Sequence, residues 1–215
     1  MVQEDIEVRA VLYYAHDPMC SWCWGFAPVL AGLVAGLPGH VSYRRLLGGL
    51  AQDTDAPMPA EMQQRIQATW RRIQETVTGA EFNFDFWIQC KPRRSTWASC
   101  RAVIAARSQG MEFDRQMTTA IQHAYYLQAR NPSDETTLVE LAGELGLDVK
   151  LFTESLESDQ THRLLEQEMQ QCAALRASSF PALVLRNGTS EWHIPVDYRD
   201  AAPMLTLIDE LLEPV

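Results

Sequence analysis

The stretch YYAHDPMCSWCWGFAP, residues 13–28, places two cysteines three positions apart, between a β-rich run and an apolar helical pattern. The run EVRAVLYYA before the pair is rich in β-branched and aromatic residues and predicts a strand. After the pair, apolar residues recur at helical spacing from Phe26 to Val34, and HVSYRRLL then predicts a second strand. This strand, helix, strand order predicts a βαβ unit with parallel strands.

The rest of the chain changes character twice. From about residue 59 to 175 the apolar residues recur at helical spacing throughout, which predicts a helical subdomain. FPALVLRNG and SEWHIPV are two short β runs around Asn187-Gly188, and both turn residues accept positive φ, so a hairpin is predicted there. A final helix is predicted from about residue 198 to 212. The predicted order is therefore βαβ, a helical insertion, and ββα.

Composition limits the classes of function. Apolar residues make up 47% of the 215 residues, which suffices for a buried core, while the formal charge of −10 argues against nucleic-acid binding. The start MVQEDIEVRA is acidic without a secretory apolar run, and no segment has the apolar length of a membrane span. The five cysteines are an odd number, a poor disulfide framework. We therefore expect a cytoplasmic protein with no nucleic-acid or membrane partner.

The position of the two cysteines predicts thiol chemistry. If the helix begins at or just after Cys20, its unpaired backbone N–H groups and its dipole stabilise a thiolate on that residue. Cys23, one turn further along, is near enough to attack a mixed disulfide formed on Cys20. A nucleophile and a resolving thiol at this spacing suffice for thiol–disulfide exchange.

Two alternatives for the pair remain. A C-x-x-C pair is also half of a tetrahedral zinc site, but Cys90, Cys100 and Cys172 are scattered and supply no second close pair. Two buried, inert cysteines are the other alternative. Cys90 and Cys100 are themselves either a second redox pair or, as we favour, an incidental residue and a buried one, on a helix capped by Ser95 or Thr96.

These residues resemble the thioredoxin superfamily. CSWC opens a helix after the first strand, Pro28 follows the second cysteine by five residues, and SSFPALVL looks like the cis-proline loop of the superfamily. The helical block between the two halves is similar to the insertion of the DsbA-like branch. The motifs DPMCSWCWGF, RLLGGLA, FNFDFW and PRRSTWASCRAV look like its cytosolic FrnE-type subgroup of predicted dithiol-disulfide isomerases.

The resemblance implies a fold and an activity. The fold is α/β, a thioredoxin fold with a central mixed sheet and an inserted all-helical subdomain. Its parts are residues 1–56, the insertion 57–158, and residues 159–215. The activity is that of a thiol–disulfide oxidoreductase or isomerase, with no metal and no cofactor except glutathione as a possible co-substrate. Its partners would be disulfide-containing proteins or small thiols, with glutathione or a thioredoxin system.

The resemblance also assigns roles to residues. Cys20 would be the exposed attacking cysteine and Cys23 the buried resolving one. Pro181 would be cis and face the pair, leaving the backbone of Phe180 to pair with an extended substrate segment. Trp22, between the cysteines, is predicted to form an apolar rim for substrate.

Other positions near the pair depart from the family pattern or leave a choice open. The buried acid that many relatives carry six residues before the first cysteine is Tyr14 here, so its role would fall to water or another group. Phe180 is bulkier than the usual residue before the proline, and Ser21-Trp22 brings no positive charge to the thiolate. His16 either assists the thiolate and contacts substrate or is a solvated turn residue.

Two rival functions stay open. One is a glutathione-dependent transferase or isomerase of the kappa or HCCA-isomerase type, which shares the fold but has a serine-type residue at the position of Cys20. The retained Cys23 argues against it. The other is a non-catalytic module that binds metal or holds thiols without turnover.

Overall fold

The β runs from the two ends of the chain meet in one mixed sheet. In a computed structural model that describes residues 10–213, four strands lie in the order β2-β1-β3-β4. They are β1 Ala10–His16, β2 Val41–Leu47, β3 Ala182–Asn187 and β4 Ser190–Ile194. β2 runs parallel to β1, whereas β3 is antiparallel to both β1 and β4. The predicted βαβ unit and mixed sheet are confirmed, while the acidic start of the chain and residues 7–9 of the predicted first strand lie outside the described range.

Helices connect and cover these strands. Within residues 10–213 they are α1 Ser21–Gly36, α2 Ala60–Thr76, α3 Phe86–Gln89, α4 Trp97–Arg107, α5 Glu112–Tyr126, α6 Glu135–Glu144, α7 Val149–Leu156, α8 Asp159–Ala174 and α9 Ala202–Leu212. The helical insertion is confirmed, but the prediction of helix throughout it is wrong for residues 77–96. Gly79, at φ +80, and Pro92 interrupt the helical backbone of that segment, where α3 is a single turn.

Two details near the C-terminus differ from the prediction. The hairpin is confirmed, but Asn187 is the last residue of β3 and pairs with Ser190, so the left-handed backbone falls on Gly188, at φ +58. The last helix begins at Ala202 instead of residue 198. The Asp197 carboxylate accepts hydrogen bonds from the backbone N–H groups of Arg199 and Asp200, which holds a turn where helix was expected.

The sheet separates two apolar layers. Leu12 and Tyr14 of β1 pack with residues of α1 and α9 on one face. Their neighbours Tyr13 and Ala15 point to the other face, where Cys172 of α8 packs. The helical block has a larger core of its own. The boundaries predicted for the three parts of the chain stay predictions.

No helix within residues 10–213 combines the length and the apolar character that crossing a membrane requires.

Candidate active site

The cysteine pair lies at the junction of β1 and α1. β1 ends at His16, a short turn follows, and Cys20 is the N-cap of α1 with an extended backbone at φ −80 and ψ 115. The backbone N–H of Cys20 donates to the carbonyl of Asp17 at 3.0 Å. The helix thus begins directly after Cys20, as predicted, at the end where backbone N–H groups lack helical partners.

The two thiols differ in burial. Both are buried free thiols, Cys20 at 7% and Cys23 at 1% exposure, so the prediction of a buried Cys23 is confirmed and that of an exposed Cys20 is wrong. Cys20 is covered because the carbonyl of Phe180 lies against its sulfur. Burial raises the pKa of Cys23 well above its usual value, and a hydrogen bond and the charge of the adjacent Cys20 raise it further. The backbone of Asp17 and the hydroxyl of Tyr14 act in the opposite direction on that pKa. Cys23 is therefore a protonated thiol at neutral pH.

The loop before β3 closes over the pair. The Phe180–Pro181 peptide bond is cis, and the carbonyl of Phe180 accepts a hydrogen bond from the Cys20 sulfur at 3.3 Å. The ring of Phe180 packs on Gly48, where an added Cβ would lie 1.9 Å from the nearest ring carbon. The structure therefore brings together Cys20, Phe180 and Pro181, which lie 160 residues apart along the chain.

Helical segments outside the sheet hold the dipeptide between the cysteines. The Trp70 indole of α2 donates to the hydroxyl of Ser21 at 3.0 Å. Half-buried Trp22 packs against Tyr198, with ring centroids 4.9 Å apart, and the Arg72 guanidinium lies 5.9 Å from its ring centroid. The role of Trp22 as a substrate rim stays a prediction.

Asp17 is a buried residue that the sequence analysis interpreted only as part of a turn. Its carboxylate is fully buried and accepts hydrogen bonds from the backbone N–H groups of Met19 and Leu50, each at 2.8 Å, and from the hydroxyl of Thr96 at 2.7 Å. Burial raises the pKa of Asp17, while these hydrogen bonds oppose the rise. The Asp17 carboxylate therefore connects the turn that precedes Cys20 to the segments at Leu50 and Thr96.

The same contact corrects the prediction for the start of α4. Thr96 is the N-cap of that helix, but its side chain makes no capping hydrogen bond, because its hydroxyl donates to Asp17 and accepts from the backbone N–H of Ala51 at 3.0 Å. Cys100 is fully buried on α4, as favoured, with its sulfur 3.6 Å from the Asp17 carboxylate. The thiol of Cys90 instead donates to the carbonyl of Ala129 at 3.0 Å. The two residues are free thiols with separate hydrogen-bond partners, and a redox pair between them stays an untested alternative.

His16 lies inside the fold. It is 1% exposed, stacks on Tyr14 with ring centroids 4.9 Å apart, and accepts hydrogen bonds from Arg45. Burial, with the charges of Arg45 and Arg107, lowers the pKa of His16 well below its usual value, so the ring is neutral. The solvated-turn alternative is therefore wrong, and a contact between His16 and substrate stays a prediction.

A cavity of about 1410 Å³ lies between α1, β2 and α5. Its lining includes Cys23, Tyr14, Tyr43 and Arg45. The sequence analysis did not predict this cavity, because its walls come from segments that are far apart along the chain.

Ion pairs at the cavity wall connect the helical block to the sheet. Arg45 of β2 contacts Asp114 of α5 at 3.0 Å, and Asp114 contacts Arg107 of α4 at 3.1 Å. Arg107 also pairs with Glu168 of α8, whose carboxylate accepts a hydrogen bond from the backbone N–H of Leu47 at 2.7 Å. The part of the chain that the structure describes contains no group of three or more His, Cys, Asp and Glu side chains placed to hold a metal ion.

A C-x-x-C pair at the start of the helix after the first strand, with a cis-proline loop beside it, is the arrangement of the thioredoxin fold. A family model described as Thioredoxin matches residues 13–203. The chain belongs to this family.

Solved structures and curated relatives share most of the chain. The crystal structure of a candidate protein disulfide isomerase from Nitrosomonas europaea is 30% identical, with a TM-score of 0.81 over 95% of this chain and 98% of that one. The cytosolic disulfide reductase DsbM from Pseudomonas aeruginosa has 23% identity and a TM-score of 0.71 over 93% of this chain and 94% of that one, a likeness in fold. The ClpXP adapter protein SpxH of Halalkalibacterium halodurans is 26% identical over 82% of this chain, which spans 58% of the length of that relative.

Proposed function

We propose that the protein reduces or isomerises disulfide bonds by dithiol–disulfide exchange, with Cys20 as the attacking residue and Cys23 as the resolving one. The observation that carries this proposal is the position of Cys20. It is the N-cap of α1, it retains some exposure, and its sulfur lies 3.3 Å from the carbonyl that precedes Pro181. Helix N-termini favour anions, and thiolates are the reactive form of cysteine.

The cycle has two exchanges. The Cys20 thiolate attacks one sulfur of a substrate disulfide, forming a mixed disulfide, and the other substrate sulfur leaves as a thiolate that takes a proton from water. Cys23 then loses its proton and attacks the Cys20 sulfur. The bond between Cys20 and substrate breaks, the second substrate thiol is released, and the Cys20–Cys23 disulfide remains. A thiol reductant such as glutathione, or a thioredoxin system, returns the pair to the dithiol.

The environment of Cys23 suits this order of events. The neighbouring Cys20 is one of the causes that raise the pKa of Cys23. In the mixed disulfide Cys20 carries no charge, so this contribution is lost and Cys23 ionises more readily. The resolving thiol is thus restrained until the first exchange has occurred.

The surroundings of Cys20 favour extended segments as substrates. Phe180 and Pro181 are half-buried beside the sulfur, and Trp22 with Tyr198 adds an apolar surface close by. The backbone of an extended substrate segment next to its disulfide would pair with the loop at Phe180, and the side chains of that segment would contact Trp22. We propose the cytoplasm as its compartment, since a reducing environment keeps the resting pair as the dithiol.

Single-cysteine variants test the proposal. Cys20→Ser is expected to abolish insulin reduction, because the attacking sulfur is lost, whereas Cys23→Ser is expected to accumulate mixed disulfides that mass spectrometry detects. Cys90→Ser is the matched control, because Cys90 is a half-exposed thiol outside the pair, and its rate should equal that of the parent. Undiminished insulin reduction by both Cys20→Ser and Cys23→Ser would refute the proposal.

The similarity to the ClpXP adapter SpxH favours a second candidate, the function of a protein adapter. An adapter works by binding and does not require the thiols to turn over. A variant that lacks both Cys20 and Cys23 would keep adapter binding in a pull-down with ClpXP and lose insulin reduction. Glutathione turnover belongs to the first candidate, and DsbM has been crystallised with glutathione. Calorimetric titration with glutathione tests whether this chain binds it as well.

A further inference from the structure

β2 is an edge strand, because β1 is its only neighbour within the described sheet. The backbone N–H of Gly48, directly after β2, donates to the carbonyl of His16 at 2.7 Å. Alternate residues of a parallel strand direct their N–H and C=O groups at the neighbouring strand, so the even-numbered residues of β2 bond to β1. The odd-numbered residues Tyr43, Arg45 and Leu47 direct theirs away from the sheet. Leu47 bonds to α8 there, whereas the backbone N–H groups of Tyr43 and Arg45 have no hydrogen-bond partner within residues 10–213.

These unpaired groups lie beside the cavity between α1, β2 and α5, which we call the edge groove. All of residues 43–46 line it, and their side chains point alternately to the two faces of the sheet, so the groove runs along the side of the strand. Its volume of about 1410 Å³ exceeds the range of about 300–1,000 Å³ that is usual for small-ligand pockets. An extended chain beside β2 fits both this shape and the unpaired N–H groups.

The wall that α1 contributes to the edge groove is apolar. α1 contains no charged residue between Ser21 and Gly36. Its residues in the lining recur at about one helical turn, and they are Ala27, Leu30, Ala31, Val34 and Ala35. Ala31 and Ala35 are exposed, and Met111 at the start of α5, which also lines the groove, is 73% exposed. An uncharged helix with an open apolar face is typical of a surface that a partner covers.

The arginines of the edge groove give it a charge opposite to that of the whole protein. The chain has a formal charge of −10. In the lining, the carboxylates of Asp114 and Glu168 are occupied by the ion pairs described above. Arg44 and Arg115 are exposed and pair with no carboxylate within residues 10–213, so two free arginines of the lining face the single remaining carboxylate, Glu112. The groove therefore favours an anionic partner.

We propose that the edge groove binds an extended peptide segment of a partner protein, in which apolar and acidic residues alternate, as an added strand beside β2. Successive side chains of such a strand point to opposite faces of the sheet. The apolar ones would contact α1, which packs on the same face as Tyr43. The acidic ones would pair with Arg44, which points to the opposite face. Main-chain hydrogen bonds to Tyr43 and Arg45 would supply affinity. This partner site goes beyond the proposed exchange and requires neither thiol.

Strand addition is tested with a short fluorescein-labelled peptide of alternating valine and glutamate, whose binding to the full chain is followed by fluorescence anisotropy. The matched probes are the same peptide with every backbone nitrogen methylated and a peptide of alternating valine and lysine. Each should bind at least about ten-fold more weakly, because the first lacks the N–H groups of a strand and the second has the wrong charge. Hydrogen exchange at the backbone N–H groups of Tyr43 and Arg45, followed by NMR, should slow when the valine–glutamate peptide binds.

Variants of the groove test the two walls separately. Arg44→Glu reverses a charge beside the added strand, and Ala31→Glu places a negative charge in the apolar wall. Both residues are exposed, and each variant should weaken binding of the valine–glutamate peptide about five-fold or more. Arg163→Glu is the matched control, because Arg163 is an exposed arginine of α8 outside the lining, and it should bind like the parent. Urea unfolding of the three variants should follow that of the parent, which separates a loss of binding from a loss of fold.

Three results would overturn the proposal. They are an absence of binding by the valine–glutamate peptide, equal binding by its methylated form, and parental binding by both Arg44→Glu and Ala31→Glu. A dimer of the peptide-free chain in sedimentation velocity that Ala31→Glu dissociates would also overturn it, since a second copy would then cover the groove. None of these measurements depends on insulin reduction, so each outcome leaves the proposed exchange standing.

Discussion

Gly48 sets the distance between the loop at Phe180 and the cysteine pair, so replacing it with alanine should impair both stability and exchange. The new Cβ would lie 1.9 Å from the nearest carbon of the Phe180 ring, and ordinary contact begins at 3.4 Å, so the ring must retreat by about 1.5 Å. The carbonyl of Phe180 accepts the hydrogen bond from Cys20, so any backbone movement that accompanies the ring is expected to lengthen that bond.

The expected magnitude follows from overpacking. Inserting a methyl group against a packed ring costs about 1–3 kcal/mol, and Gly48 is not among the described residues with positive φ, so the ring contact alone is responsible. Urea unfolding monitored by tryptophan fluorescence should show that Gly48→Ala lowers the free energy of unfolding by this amount. The rate of insulin reduction should also fall.

A double-variant cycle isolates the contact. Phe180→Ala removes the ring, so adding Gly48→Ala to it should cost much less than Gly48→Ala alone, and the two changes should be non-additive by about 1 kcal/mol or more. Gly32→Ala is the matched control on α1, because its Cβ would meet Ala201 at an ordinary 3.7 Å and it should be neutral or stabilising. Additive losses in the double variant would contradict the reasoning.

Two further predictions concern buried groups near the pair. Asp17→Asn should lower the free energy of unfolding by about 2 kcal/mol, because either orientation of the amide leaves a backbone N–H facing an NH₂ group. Thr96→Ser keeps the hydroxyl that bonds to Asp17, so its free energy of unfolding should fall far less. Because the pKa of His16 is lowered in the folded chain, the unfolded chain takes up a proton at a pH where the folded chain does not. The free energy of unfolding should therefore fall as the pH drops through about 6.5. Between pH 7.5 and 5.5 the parent should lose about 1.4 kcal/mol more than His16→Gln, and equal pH slopes in urea titrations would refute this.

The sequence predicted elements whose signal is local. The C-x-x-C pair, the β run before it and the helical pattern after it lie within about thirty residues, and the structure has them in that order. The hairpin around Gly188 is equally local. Alternation and helical spacing show which face of a strand or helix is apolar, and this is sufficient to predict the strands and the helical block from the sequence.

The residues that were misjudged depend on contacts between distant segments. The hydroxyl of Thr96 bonds to Asp17 across 79 residues, so a local capping rule gave it the wrong partner. His16 is the last residue of β1, a position where polar residues are usually solvated, but α5 and Arg45 cover it in the folded chain. The start of α9 was misplaced because Asp197 forms a turn with its own backbone, a competition that apolar spacing does not record.

The hydrogen bond from Trp70 to Ser21 links the redox tetrapeptide to the insertion. Excising the helical block and rejoining β2 to the later strands would leave the letters CSWC intact but remove the side chain that fixes their first spacer residue. Moving the four residues CSWC into another protein would likewise transfer the two cysteines without the contacts that surround them here. For engineering, the tetrapeptide should therefore be moved together with α2 and with the loop at Phe180.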